Sequence, residues 1–203
     1  MKLPCLLQFR ILKLALTSLF TRPFTTRFPK EPFTPIDQFR GRPRFHEDDC
    51  IGCGACVEVC PAECIDVVDD ANPQGPTRTL IQHLDACILC GQCERYCITE
   101  KGILLSTEYD YVGFTPEDFE EKVEKELLLC ECCGKIIAPV DQLRWLVKRL
   151  GPLAYANPTL MLVSQRELAV VSEPVTPAVE GVTRADRLTI SCPHCRRKTA
   201  LAI

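Results

Sequence analysis

The residues in this chain best equipped for chemistry are its cysteines, fifteen among 203 residues. Eight fall in two runs of one spacing, C-x2-C-x2-C-x3-C: CIGCGACVEVCP from Cys50 to Pro61, and CILCGQCERYC from Cys87 to Cys97. Three closely spaced thiolates wrap one face of an iron–sulfur cubane, and in paired runs of this kind the fourth cysteine of each closes the other run's cluster. The spacing predicts one [4Fe–4S] cluster on Cys50, Cys53, Cys56 and Cys97, and a second on Cys87, Cys90, Cys93 and Cys60. Gly52, Gly54 and Gly91 would let backbone N–H groups approach the sulfurs. Zinc knuckles and disulfide frameworks also use C-x2-C pairs or many cysteines, but neither needs two interleaved triplets with a fourth cysteine at a fixed offset. Ile98 follows Cys97 where such a run usually carries proline, which loosens a turn and removes no ligand.

A second constellation pairs Cys130-Glu131-Cys132-Cys133-Gly134 with Ser191-Cys192-Pro193-His194-Cys195. Two C-x2-C knuckles offer four thiolates to a tetrahedral structural ion, with no position left for water. Cys130, Cys133, Cys192 and Cys195 are the predicted zinc ligands, with Cys132 and His194 as spares. Mononuclear iron in the same tetrahedron is chemically possible. Cys64 lies outside every ligand set and reads as a small buried hydrophobe. His46 and His83 read as polar surface or hairpin residues.

Composition narrows the field. So many cysteines without a convincing secretory leader argue for metal rather than disulfides, and for a reducing compartment. A formal net charge of -3 gives no nucleic-acid footprint. The average hides an asymmetry: residues 1–30 contain no acid but carry Lys2, Arg10, Lys13, Arg22, Arg27 and Lys30.

The elements that must hold these sites follow in chain order. Residues 3–20 are apolar but interrupted by Gln8, Arg10 and Lys13, and Lys2, Arg10, Lys13 and Thr17 share one helical arc. Charges near the middle disfavour a membrane span. The segment reads as a helix lying in a membrane interface or docked on a partner; a transit peptide or a secretory leader are the competing readings. Pro23 to Pro43 form a proline-punctuated extended arm. Its Phe24, Phe28, Phe33 and Phe39 are expected in grooves of a neighbour or against the chain's own core. Cys64 to Val68 and Leu80-Ile81 predict a hairpin around turn residues 69–76, and residues 102–105 a further strand. Thr115-Pro116-Glu117-Asp118 predicts a helix start, with Phe119, Val123 and Leu127 as its buried stripe and Glu121 and Lys125 as a solvated i,i+4 pair. Asp141 to Pro152 predict a second helix with a Gly-Pro stop, in which Trp145 packs. Residues 172–181 read as a flexible loop. Arg196, Arg197 and Lys198 make only a weak basic patch.

Taken together, FRGRP (Phe39 to Pro43), the two cysteine runs, LCECCGK (Leu129 to Lys135) and the distant CPHC resemble the polyferredoxin subunit of membrane-bound [NiFe]-hydrogenases, closest to the formate hydrogenlyase and hydrogenase-4 branch. The basic helix, arm and cluster region are also similar to the two-cluster ferredoxin-like subunit of respiratory complex I. The likeness covers nearly the whole chain and is weakest at 136–190; the C-terminal knuckles favour the hydrogenase branch. It implies an α+β fold: a bacterial-type double-cluster ferredoxin domain at 45–110, preceded by a docking helix (1–22) and an arm (23–44), and followed by a helical region with a zinc-ribbon-like knuckle pair (111–203). It further implies a non-catalytic electron relay through two [4Fe–4S] clusters, with one structural Zn2+. The implied partners are the hydrogenase small and large subunits, membrane-arm subunits, and a formate dehydrogenase subunit or ferredoxin as donor, with no nucleic acid. The implied location is peripheral, on the cytoplasmic face of the cell membrane. The equivalent relay of a quinone-linked complex I relative is the alternative; a free soluble ferredoxin or a zinc-ribbon interaction protein is the reading from a different class.

Overall fold

The computed structural model describes residues 8–23, 25, 27–168 and 189–201. The Lys2 end of the predicted docking helix, Phe24 of the arm and the predicted loop 172–181 lie outside them. The chain divides into two units, Met1–Gln38 and Phe39–Ile203.

In the first unit, α1 (Phe9–Phe20) follows Gln8 and carries no acidic residue in its first turn. All of its side chains are exposed, among them Phe9, Leu14, Leu19 and Phe20, each more than two-thirds accessible. A helix with this much apolar surface in water lacks the burial that usually stabilises one. Thr17 and Thr21 return their hydroxyls to the carbonyls of Lys13 and Thr17, and Thr21 also ends the helix with its N–H.

The second unit opens with the FRGRP stretch. Gly41 lies so close to the backbone of Ser106 and Glu108 that a Cβ would collide with carbonyl oxygens. Its N–H donates to the Ser106 carbonyl at 2.9 Å, and Arg42 and Arg44 both pair with Glu108. Phe39 meets Tyr109 edge-on at 6.2 Å. This end of the predicted arm therefore packs on the chain's own core and becomes a strand.

That strand, β1 (Pro43–Phe45), precedes α2 (Ala55–Glu58), β2 (Ile65–Asp70), β3 (Thr77–His83), α3 (Gln92–Arg95) and β4 (Ile103–Leu105). β1 pairs antiparallel with β4, setting Phe45 opposite Ile103. β2 and β3 form the expected hairpin, setting Ile65 opposite Gln82. The backbone repeats itself between the halves at a 37-residue offset, as Cys50 and Cys87 show. Gly54 (φ 76°) and Gly91 (φ 75°) open α2 and α3 in the left-handed region. Glu63 and Glu100 are matched at φ 49° and 61°, and Gly52 and Leu89 at 66° and 54°. Leu89 thus accepts a conformation that its glycine mate adopts without steric cost.

Beyond the core comes the main departure from expectation. Thr115 to Asp118 do begin as predicted, with the Asp118 carboxylate accepting the N–H groups of Phe114 and Thr115. The helix lasts only one 3-10 turn, Pro116–Phe119. Residues Glu120–Leu129 are a strand, β5, hydrogen-bonded to β3 with Val123 opposite Leu80. Val123 and Leu127, four apart, fit a helical stripe and equally a two-residue strand period; the sheet edge offered by β3 decides it. Lys125 is not solvated as expected. It is 9% exposed, inward-facing between Val123 and Leu127, and its Nζ reaches the Glu47 carbonyl at 2.5 Å and Asp141 at 3.2 Å. Glu121 on the same face accepts the Phe45 N–H.

β6 (Ile136–Pro139) completes a four-stranded antiparallel sheet ordered β2-β3-β5-β6. α4 (Val140–Leu150) starts one residue before the expected cap Asp141 and stops at Gly151, as its Gly-Pro predicts. Trp145 is half-buried, with the Arg149 guanidinium 5.2 Å from its ring centre. Two helices had no expectation: α5 (Pro158–Glu167), capped by Asn157 accepting the Thr159 N–H, and α6 (Pro193–Leu201). Leu143 of α4, Leu160, Leu162 and Val163 of α5, and Ile190 ahead of α6 form a core apart from the cysteine-rich core of the first half.

Candidate functional site

Each half of the cluster region surrounds a cavity. The first is lined by Cys50, Cys53, Cys56 and Cys97, with Phe45, Leu80 and Ile103 beside them. The second is lined by Cys60, Cys87, Cys90 and Cys93, with Cys64, Gln82 and Leu105. The non-atom space among these side chains, counted together with the solvent it opens to, is about 310 Å³ in the first and 330 Å³ in the second. In both, three thiols come from one run and the fourth from the other.

The electrostatics repeat with the backbone. Burial, followed by the neighbouring sulfurs, pushes the Cys56 thiol up to about 12. Burial likewise pushes its mate Cys93 up to about 11. Burial also acts on the fourth cysteines, Cys97 and Cys60, yet both end below the ordinary thiol value. The Thr99 hydroxyl and N–H groups of Thr99, Gly102 and Ile103 outweigh it at Cys97. N–H groups of Cys64, Ala62 and Glu63, with the Cys64 thiol, do so at Cys60. Four thiols gathered around one cavity, one of them with its thiolate stabilised by hydrogen bonds, suit a cationic cluster that would neutralise the rest. The donor set fits iron–sulfur cubanes.

Cys64 is buried as expected, 3% exposed, but it is no bystander: its sulfur stands 3.4 Å from Cys60 Sγ. His83 sits on the hairpin between Asp66 and Glu120, and no metal-ligand group includes it or His46 among the described residues.

The C-terminal cysteines meet more tightly. The sulfurs of Cys130, Cys133, Cys192 and Cys195 all lie within 4.8 Å of one another, the one such group of potential ligands among the described residues. Cys133 and Cys192 are 3.7 Å apart. A tetrahedron with metal–sulfur bonds of about 2.3 Å has edges of about 3.8 Å, so one ion fits. The β5–β6 turn holds the first knuckle: Cys130 N–H donates to the Lys135 carbonyl and Gly134 N–H to the Cys130 carbonyl. The second knuckle opens α6, and the Cys192 N–H points at Cys130 Sγ from 3.2 Å. Glu131 joins them, accepting the Ile190 N–H and pairing with Arg166. Burial raises the Cys130 thiol, but N–H groups of Cys192, Cys133 and Cys132 outweigh it and bring it down to about 6. Cys132 and His194 are exposed and outside the group.

Sequence reasoning missed Gln82 and Glu131. Gln82 had a signal in principle, because it occupies the place in its half that Phe45 occupies in the other; Glu131 had none.

Residues 49–101 match the 4Fe-4S dicluster domain. With eight thiols around two cavities, this makes the chain a two-cluster iron–sulfur protein, of the class that carries electrons. Over 127 residues the chain is 34% identical to formate hydrogenlyase subunit 6 of Escherichia coli, covering 62% of this chain and 68% of that one. The chain belongs to that family of iron–sulfur electron-transfer subunits. NADH-quinone oxidoreductase subunit I 2 of Rhizobium meliloti is 34% identical over 107 residues, 49% of this chain and 57% of its own length. NAD(P)H-quinone oxidoreductase subunit I of a Synechococcus strain is 48% identical over 54 residues, 26% of this chain and 25% of that one. A chain of the membrane-bound sulfane sulfur reductase, an archaeal respiratory membrane complex, aligns over 58% of this chain and 61% of its own. The two are 25% identical, with a TM-score of 0.39. No helix among the described residues is long and apolar enough to cross a membrane.

Proposed function

We propose that this chain relays single electrons between a donor, a formate dehydrogenase subunit or a ferredoxin, and the small subunit of a membrane-bound [NiFe]-hydrogenase. The observation that carries the reading is the pair of four-thiol cavities, each completed by a cysteine from the opposite run. Cys50, Cys53, Cys56 and Cys97 would hold one [4Fe–4S] cluster, and Cys87, Cys90, Cys93 and Cys60 the other. The clusters supply the one-electron carriage. The chain's residues fix their spacing, exclude water and set potentials through burial, charge and hydrogen bonds to sulfur. Cys130, Cys133, Cys192 and Cys195 would hold a structural Zn2+ in a zinc-ribbon-like module, a role in which every coordination position belongs to protein. Exposed α1, apolar and basic, would dock on the membrane-arm subunits or lie in the interface, on the cytoplasmic face of the cell membrane.

The relatives in quinone oxidoreductases support a second reading, the same relay in a complex I-like enzyme. Metal analysis of the tagged complex, purified without oxygen from detergent-solubilised membranes, separates the two. Nickel co-purifying with zinc, and with iron well above what two cubanes supply, is the expected result. Iron and zinc on a large complex without nickel would move the assignment to the quinone-linked enzyme. A soluble monomer carrying iron and zinc would reduce it to a free ferredoxin.

A further inference from the structure

The two cavities are lined by corresponding residues at almost every position. Cys50 to Cys56 correspond to Cys87 to Cys93, Cys97 to Cys60, and Leu80 to Pro43. Five residues before the first cysteine of each run the correspondence changes character. The first cavity has the ring of Phe45, on β1 opposite Ile103; the second has the carboxamide of Gln82, on β3 opposite Ile65.

Gln82 is 0% exposed, and neither its Nε2 nor its Oε1 has a hydrogen-bond partner. A buried amide left this way bears its full desolvation cost, so a native chain that keeps one has a partner for it. The side chain lines the cavity between Cys60 and Cys87, and the group that belongs there is rich in sulfur acceptors. Both halves set one further polar group beside a fourth cysteine, while the charges of Lys125 and Arg78 act only on Cys50 and Cys53 of the first. Thr99 Oγ1 is 3.3 Å from Cys97 Sγ, and Cys64 Sγ is 3.4 Å from Cys60 Sγ.

We propose that the Gln82 carboxamide donates a hydrogen bond to a sulfur of the second cluster and raises that cluster's reduction potential, a contact for which Phe45 leaves the first cluster no counterpart. Such a donor stabilises the extra electron density of the reduced cluster more than the oxidised one, and hydrogen bonds to sulfur are among the terms that set these potentials. Gln82 is a tuning residue; it moves no atom of a substrate. The inference rests on the assignment of Cys60, Cys87, Cys90 and Cys93 to one cluster.

The full-length chain, loaded with iron and sulfide without oxygen, tests it by redox titration followed by EPR. Iron content and the reduced spectrum of the unsubstituted chain come first: absence of a second cubane refutes the ligand assignment itself, whatever Gln82 does. Given two cubanes, Gln82→Leu is expected to keep the iron and lower one midpoint while the other stays. Phe45→Gln is expected to raise the midpoint that Gln82→Leu left alone. Both midpoints unmoved in a fully loaded Gln82→Leu chain would overturn the proposal. If that variant does not load, the unsubstituted chain decides, with its glutamine side-chain amides labelled with 15N. Pulsed EPR of the reduced second cluster should then show a 15N coupling, and its absence is equally fatal.

Discussion

In the core, each four-thiol set draws its fourth sulfur from the other run, around one cavity. At the C-terminal site, two knuckles some sixty residues apart bring four sulfurs within 4.8 Å, around room for one ion. The cavities are interlocked, so neither is complete until both halves have folded. The quartet closes on itself and joins only the β5–β6 turn to the start of α6. On the proposed assignment, the difference would separate a pair of cluster sites that stand or fall together from a clasp whose loss is local in chemistry. The sheet qualifies this independence, because β5 is hydrogen-bonded to β3 on one side and carries the first knuckle at its end.

The largest effect should come from the interlock. Cys97→Ser is expected to cost more iron than the first cluster alone holds, since Cys97 closes one cavity from the run that builds the other; iron and sulfide assay after reconstitution measures it. Loss of one cluster's iron only, with the second spectrum intact, would break the contrast. Cys130→Ser, by comparison, should release the C-terminal metal and leave both cluster spectra in place.

Acid sharpens the same contrast. A thiol held at about 6 against an ordinary 9 favours the folded quartet fully above pH 9, and that contribution is lost as pH falls through 6. In metal-free protein, thiolate absorbance should show a step near pH 6. In loaded protein a chromophoric chelator should capture the ion increasingly as pH drops, because protons compete with the metal for the thiolates. A metal-free step at the ordinary thiol value would contradict the placement of N–H groups on Cys130.

Leu127 tests how far the sheet ties the regions together. It is 2% exposed on the strand shared by both, and Leu127→Ala should destabilise the chain by about 2–5 kcal/mol. Thermal unfolding followed by visible cluster absorbance and by far-UV dichroism should shift together. Separate transitions would make the C-terminal region independent after all. Asn157→Ala, which removes the cap of α5, should cost about 1 kcal/mol and leave the clusters untouched.

Much of this arrangement was legible from residue types and spacing. The crossed cysteine sets around the two cavities, the hairpin, α4 and the meeting of the four knuckle cysteines all depend on local patterns that tolerate little rearrangement. β5 did not read correctly because two signals competed. A genuine helix-start motif precedes it, and a lysine occupies the middle of its inward row, hiding the strand period. Only a neighbour such as Asp141 makes a buried lysine acceptable, and no local pattern announces a partner on another element. Gln82 was silent for a similar reason. In the hairpin it looks like any polar strand residue, and it gains meaning only beside Phe45. α5 carried a legible Asn-Pro start; α6 had little beyond its proline.

The crossed fourth cysteines have a consequence for how such a chain is made. As the polypeptide leaves the ribosome, Cys50, Cys53 and Cys56 emerge well before Cys97, and until then they form a three-legged nest open to oxygen and stray metal. On the proposed assignment, no complete ligand set exists before the second run has emerged. A maturation factor that loaded the nascent chain early would have to supply the missing thiolate itself.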